Sequence, residues 1–164
     1  HCLEVQLPFL QQVLESFSLI PLLVGEATPS AVAEVLERLW GGEETLIVIS
    51  SDLSHFHDYE TARRLDQEIS TTIEELRDTD IRPQQACGHL AIKGALQAAR
   101  KHGLTARNLD LRNSGDTAGP PDRVVGYGAY AFTSWPKPRW HFPGETVTPA
   151  DKKTGHLCRG FKSS

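Results

Sequence analysis

An acidic residue and a histidine stand three positions apart just after the apolar run of residues 45–50. Asp52 and His55 are near enough in sequence to act on one substrate or to orient each other. A histidine gains and loses a proton near neutral pH, so the pair suits general acid/base chemistry. The residues leave one alternative open, in which Asp52 caps the following turn and His55 is an ordinary surface residue.

A second candidate is Cys87, which precedes Gly88 at the predicted start of a helix over residues 86–102. A thiolate in the first turn of a helix is stabilised by the helix dipole and by free N–H groups, which favours metal binding or nucleophilic chemistry. Free cysteines are also common as small buried core residues, and that alternative stays open. The sequence contains no zinc-type Cys-x-x-Cys pair, phosphate-binding glycine loop or Gly-x-Ser-x-Gly elbow.

The elements that must position these residues alternate between strands and helices. Apolar runs predict strands at 18–25, 45–50, 104–112 and 124–132, and helical spacing predicts helices at 2–16, 31–40, 58–76 and 86–102. Residues 45–50 are typical of a buried parallel strand, because β-branched residues dominate a short run between helices. The expected fold is therefore α/β, a layered sandwich around a mixed, mostly parallel sheet. In such sheets ligands bind beyond the carboxyl ends of strands, where Asp52, His55 and His57 lie.

Length and composition limit the class of protein. A chain of 164 residues fits about one domain. The net charge of −4 gives no electrostatic reason to expect nucleic acid or a membrane as partner, and no apolar stretch approaches the roughly 20 residues of a spanning helix. Cys2, Cys87 and Cys158 are widely spaced and odd in number, which argues against a disulfide framework. We therefore expect a cytoplasmic protein.

The two ends of the chain differ from its middle. The chain has no methionine and opens directly on a helical pattern, so we expect it to be part of a longer protein. Residues 135–164 are rich in proline and basic residues, and we expect a poorly ordered tail. A short addition that packs through its aromatic residues is the alternative. The predicted division is a domain over residues 1–134 and a tail over residues 135–164.

Several short motifs occur in a specific order. They are His1-Cys2-Leu3-Glu4, Ser50-Ser51-Asp52-Leu53-Ser54-His55-Phe56, Cys87-Gly88, Asn113-Ser114-Gly115-Asp116-Thr117 and Val124-Val125-Gly126-Tyr127-Gly128. Together, over residues 1 to about 133, they resemble the Memo family, whose bacterial members are called AmmeMemoRadiSam system protein B. The resemblance implies a fold similar to that of the class III extradiol ring-cleaving dioxygenases, with a non-haem metal pocket.

The resemblance also implies roles for individual residues. Cys87 corresponds to a metal ligand, His55 to the acid/base histidine and Asp52 to its acidic neighbour, while His1 lines the pocket. The implied cofactor is non-haem iron, and the implied function is a redox or dioxygenase-like enzyme acting on an unknown small-molecule substrate or oxidant. Family analogy adds a functional association with a radical SAM protein.

The chain departs from the family pattern in one informative way. Segments resembling Pro-His-Ala-Gly and Gly-Pro-x-His-His supply the other two metal ligands in the family, and neither is present. The chain therefore looks like the C-terminal part of a Memo protein, with the N-terminal portion missing, and we expect this fragment alone to be inactive and to fail to bind iron tightly. The alternative function is a non-catalytic adaptor that holds a peptide or another ligand in the same pocket.

Overall fold

The computed structural model describes residues 2–117 and 119–134. These residues form an α/β structure, which confirms the predicted class. In chain order its elements are α1 (Leu7–Val13), α2 (Pro29–Arg38), β1 (His55–His57), α3 (Tyr59–Glu74), α4 (His89–Lys101), β2 (Leu104–Asn113) and β3 (Val124–Ser134). Short 3₁₀ turns at Asp78–Asp80, Pro83–Gln85 and Ser114–Asp116 join some of them. The predicted pocket role of His1 and the predicted tail over residues 135–164 lie outside the described residues.

The sheet has the strand order β1-β3-β2, and both pairings are antiparallel. Strands β2 and β3 pair from Leu104 opposite Ser134 to Asn113 opposite Gly126. Strand β1 is short and irregular, with a register shift between His55 and His57. Within the described residues the sheet therefore differs from the mostly parallel one that the sequence predicts.

Two predicted strands are the source of this difference. Residues 18–25 and 45–50 carry no strand in the structure. Residues 46–51 make no backbone–backbone hydrogen bond to another described residue, and a strand needs such a ladder. Side chains in the second segment nevertheless alternate: Ile47 and Ile49 pack against the core, whereas Leu46 and Val48 are 68% and 45% exposed. The segment thus has the side-chain pattern of a strand without its partner.

The helices agree better with prediction because their start signals are local. Helix α2 begins after Thr28, whose hydroxyl accepts the Ala31 amide at 3.1 Å, and α3 begins after Asp58, which accepts the Thr61 amide at 3.0 Å. Helix α1 is shorter than predicted and has its proline in the first turn. Helix α4 begins at His89, so Cys87 lies before the helix and not in its first turn. The predicted position of Cys87 in the first turn of the helix is therefore wrong.

The core holds the chemistry-bearing segment in place. Its main cluster joins α3 to α4 and consists of Leu53, Ile69, Ile73, Ile81, Ala86, Ile92 and Leu96. Leu111, Tyr130 and Phe132 of the sheet pack against it. Leu53 is the member that comes from the segment after residues 45–50, between Asp52 and Ser54. A second cluster joins α2 to α4 through Val32, Leu36 and Ala98. No helix among the described residues is long and apolar enough to cross a membrane.

Candidate metal centre

Cys87 lies against residues 51–54, which we call the site loop. The backbone N–H of Asp52 donates to the Cys87 sulfur, with 3.2 Å between nitrogen and sulfur. The N–H of Cys87 in turn donates to the carbonyl oxygen of Asp52 at 3.3 Å. The Ser51 hydroxyl is a third neighbour, 3.6 Å from the sulfur. These contacts fix the position of a thiol that comes from a distant part of the chain.

Gly88 allows this close approach. Its N–H donates to the Ser51 hydroxyl at 2.8 Å, and that hydroxyl donates to the carbonyl oxygen of Asp52 at 2.7 Å. A Cβ atom at position 88 would lie 2.8 Å from the Ser51 Cβ and 3.3 Å from the carbonyl oxygen of Ser50. The glycine of the Cys-Gly motif therefore has a steric role, because any side chain there would push α4 away from the site loop.

Asp52, His55 and Cys87 meet in one cluster. The Nε2 atom of His55 is 3.6 Å from Oδ2 of Asp52, and both side chains are partly exposed. One ligand atom from each of the three residues lies within 4.8 Å of the other two. A carboxylate oxygen, an imidazole nitrogen and a thiolate sulfur are all ligands of first-row transition metals, so this donor set fits a metal ion. The cluster is open to solvent on one side, since Asp52 and Cys87 are exposed.

The site loop is anchored from behind by two buried residues. The Leu53 N–H donates to the carbonyl oxygen of Gly126 at 2.9 Å, and the Gly126 N–H donates to the carbonyl oxygen of Ser54 at 2.8 Å. The Ser54 N–H donates to Oδ1 of Asp66 at 3.0 Å. Strand β3 and helix α3 thus hold the loop on the side away from the cluster.

The neighbouring candidates are placed differently. His57 is exposed at the end of β1 and is not one of the three clustered residues. Asp58 caps α3, and its hydrogen bonds from Thr61 hold the pKa of that carboxyl below its usual range. Between the two histidines of β1, Phe56 has a φ of +62°, a left-handed conformation that is unusual for an aromatic residue. This bulge separates His55 from His57.

Asp66 is a residue of the site's surroundings that sequence reasoning missed. It is 2% exposed, and burial raises the pKa of its carboxyl, an effect opposed by the hydrogen bond from Ser54. A signal was present in the sequence, since Asp66 lies four residues after Ala62 and three before Ile69 on the apolar face of α3. A lone acid on such a face indicates a specific buried partner.

The fold and the cluster define an α/β domain with a candidate metal-binding loop, and comparison with known proteins places that domain in a family. The family model described as Memo-like protein matches residues 1–131. A MEMO1 family protein of Saccharolobus solfataricus is 32% identical over 151 residues, which cover 82% of this chain and 52% of the relative. The MEMO1 family protein of Methanosarcina mazei is 36% identical over 145 residues, which is 79% of this chain and 53% of the relative. That of Aeropyrum pernix is 36% identical over 141 residues, which is 79% of this chain and 50% of the relative. The chain belongs to the Memo family. It spans about half the length of the curated relatives that it matches.

Proposed function

We propose that this chain supplies one side of a non-haem iron centre in a Memo-family redox enzyme with dioxygenase-like chemistry. The observation that carries the proposal is the meeting of Asp52, His55 and Cys87, whose ligand atoms lie within 4.8 Å of one another. The Cys87 sulfur is a suitable ligand for iron, and the imidazole and carboxylate beside it are suited to proton transfer at the same site. Membership of the Memo family supports the assignment, because the resemblance implies a metal ligand at Cys87.

In this proposal Cys87 holds the ion through its sulfur. The N–H of Asp52 and the hydroxyl of Ser51 fix the sulfur, as the groups that surround a metal ligand commonly do. When bound, the ion supplies Lewis acidity and electron transfer to an oxidant or small-molecule substrate.

His55 holds and moves the proton in the proposed reaction. Its Nε2 atom faces the Asp52 carboxylate at 3.6 Å, which favours one ring orientation. The exposed side of the cluster gives a substrate direct access to both Cys87 and His55. Asp52 acts on His55 by charge and orientation.

Residues 45–50 are the proposed edge at which the fold is completed. Their side chains alternate as in a strand, and Leu46 and Val48 leave apolar surface exposed. The relatives are about twice as long as the part that this chain matches. We therefore propose that strands from the unmatched half of the family sequence pair at residues 45–50 and supply the parallel part of the complete sheet. A cytoplasmic location and a radical SAM partner belong to the same proposal, on family resemblance alone.

The test joins this chain to the half of the Methanosarcina mazei relative that it does not cover. Iron content and oxygen consumption, with ascorbate as reductant, are measured for the fusion protein and its variants. Cys87→Ala should lose iron, whereas His55→Ala should keep iron and lose oxygen consumption. His57→Ala is the matched control and should change neither. Normal iron content in Cys87→Ala would contradict the ligand assignment, and loss of iron in His55→Ala would contradict the proton-handling role.

A further inference from the structure

We infer that Asp66 is a positioning residue for the metal cluster. It fixes the backbone of Ser54 and thereby the positions of Asp52 and His55. The inference rests on the proposed function and adds a residue to it. Oδ1 of Asp66 accepts the Ser54 N–H at 3.0 Å. Ser54 lies between Asp52 and His55, so the orientation of its peptide sets the directions in which their side chains leave the backbone.

Asp66 acts together with Gly126 of strand β3. Gly126 makes two backbone hydrogen bonds to the same segment. Its carbonyl oxygen accepts from the Leu53 N–H at 2.9 Å, and its N–H donates to the Ser54 carbonyl oxygen at 2.8 Å. The Asp66 carboxylate fills the space beside Gly126, where an added Cβ would overlap with both carboxylate oxygens. Helix α3, strand β3 and the site loop therefore meet at one point, and the acid can reach Ser54 only because position 126 has no side chain.

The buried Ser54 N–H needs an acceptor at this position, but packing of the helix face does not call for a carboxylate. The neighbouring buried residues on the same helix face include Ala62, Ile69 and Ile73. Oδ2 of Asp66 and the hydroxyl of Ser54 are both buried without a hydrogen-bond partner among the described residues, which costs free energy. An apolar residue would avoid that cost but would leave the Ser54 N–H without an acceptor. The hydrogen bond that Asp66 accepts from the Ser54 N–H of the site loop thus explains the acid at this position.

The experiment compares Asp66→Leu, which removes the acceptor, with Asp66→Asn, which keeps an oxygen acceptor without the charge. Thr72→Val is the matched control, because it removes another buried polar group of α3 that bonds only within its own helix, to the Glu68 carbonyl. Two readouts are taken on the full chain: the NMR signals of the Asp52 amide and the His55 ring without metal, and the affinity for Co²⁺.

We expect Asp66→Leu to shift both signals and to weaken Co²⁺ binding about tenfold, as loss of groups that support a ligand commonly does. Asp66→Asn should keep the affinity within about threefold, and Thr72→Val should change neither readout. A folded Asp66→Leu with unchanged signals would overturn the inference. A tenfold loss of Co²⁺ affinity in Asp66→Asn would also overturn it, provided that the Ser54 amide is still protected from hydrogen exchange. This second outcome keeps the test decisive if Asp66→Leu does not fold. The NMR signals recorded without metal test this inference alone. The proposed function is tested separately, and it fails if the unmodified chain does not bind Co²⁺ through Cys87.

Discussion

The sulfur of Cys87 lies 3.2 Å from the backbone nitrogen of Asp52, although 35 positions separate the two residues in the chain. The contact joins the segment before α4 to the site loop, and it brings a thiol beside a carboxylate and an imidazole. It depends on a backbone donor and on the small size of Gly88, so it is a property of the fold. The predictions below follow from this junction and from its supports.

Gly88→Ala should destabilise the protein by about 1–3 kcal/mol, because its Cβ would press on Ser51 and Ser50 in a packed junction. Gly25→Ala is the control, since no atom of the described residues lies within 4 Å of a Cβ at that position. We expect the control to stay within about 0.5 kcal/mol of the unmodified chain. Urea unfolding measures both values. Equal stability of the two variants would show that Gly88 does not set the approach of Cys87 to the site loop.

Asp66 should make stability depend on pH with a definite sign. Burial raises the pKa of its carboxyl in the folded protein, so the folded state favours the protonated form. Its contribution to stability is then fully present below the ordinary carboxyl pKa of about 4 and is lost as pH rises through the folded-state pKa. Asp66→Asn has no such proton.

Measurement of this effect needs unfolding free energies of the unmodified chain and of Asp66→Asn at about pH 4 and pH 7. The stability of Asp66→Asn relative to the unmodified chain should rise between the two values. Other titrating groups are common to both proteins and cancel in the difference. A relative gain by the unmodified chain at the higher pH would contradict the assigned direction of the pKa shift.

Residues 46–50 should exchange their amide hydrogens rapidly in the 164-residue chain, because they have no backbone partner among the described residues. In the fusion with the unmatched half of the Methanosarcina mazei relative, pairing should protect them. Val48→Pro should remove that protection, since proline lacks the N–H and does not fit a central strand, whereas Val48→Thr should keep it. Hydrogen–deuterium exchange with mass spectrometry measures the protection of these amides in the fusion protein and in its two Val48 variants. Equal exchange in a folded fusion and in the separate chain would contradict strand pairing at this edge.

The parts of the fold that follow from local signals could be predicted from the sequence. Helices α2 and α3, which Thr28 and Asp58 cap, lie close to the predicted ranges, as do strands β2 and β3. Residues 45–50 show the limit of this reasoning, because composition predicts a strand but only a paired neighbour makes one. Strand β1 was not predicted, because it is short and contains a bulge with Phe56 at positive φ. No local sequence pattern indicates such a bulge.

The site divides in the same way. Asp52, His55 and Cys87 were singled out from residue type and family resemblance, and the structure brings them together. Their meeting was not predictable from spacing, because Cys87 reaches the loop through tertiary packing and not through a helix terminus. The apolar face of α3 marks Asp66 as unusual, but its partner could not be predicted, because the Ser54 backbone amide lies 12 positions away and has no side-chain pattern.

The most direct test of the central claim is a Co²⁺ titration of the 164-residue chain followed by absorption spectroscopy, in which a thiolate ligand produces a charge-transfer band in the near ultraviolet. We predict this band in the unmodified chain and in the double variant Cys2→Ala, Cys158→Ala, and we predict its loss in Cys87→Ala. Binding should be weak enough for dialysis to remove the ion, since half of the family sequence is absent from this chain. A band of the same intensity in Cys87→Ala, or no band in the unmodified chain, would contradict a metal centre at Asp52, His55 and Cys87.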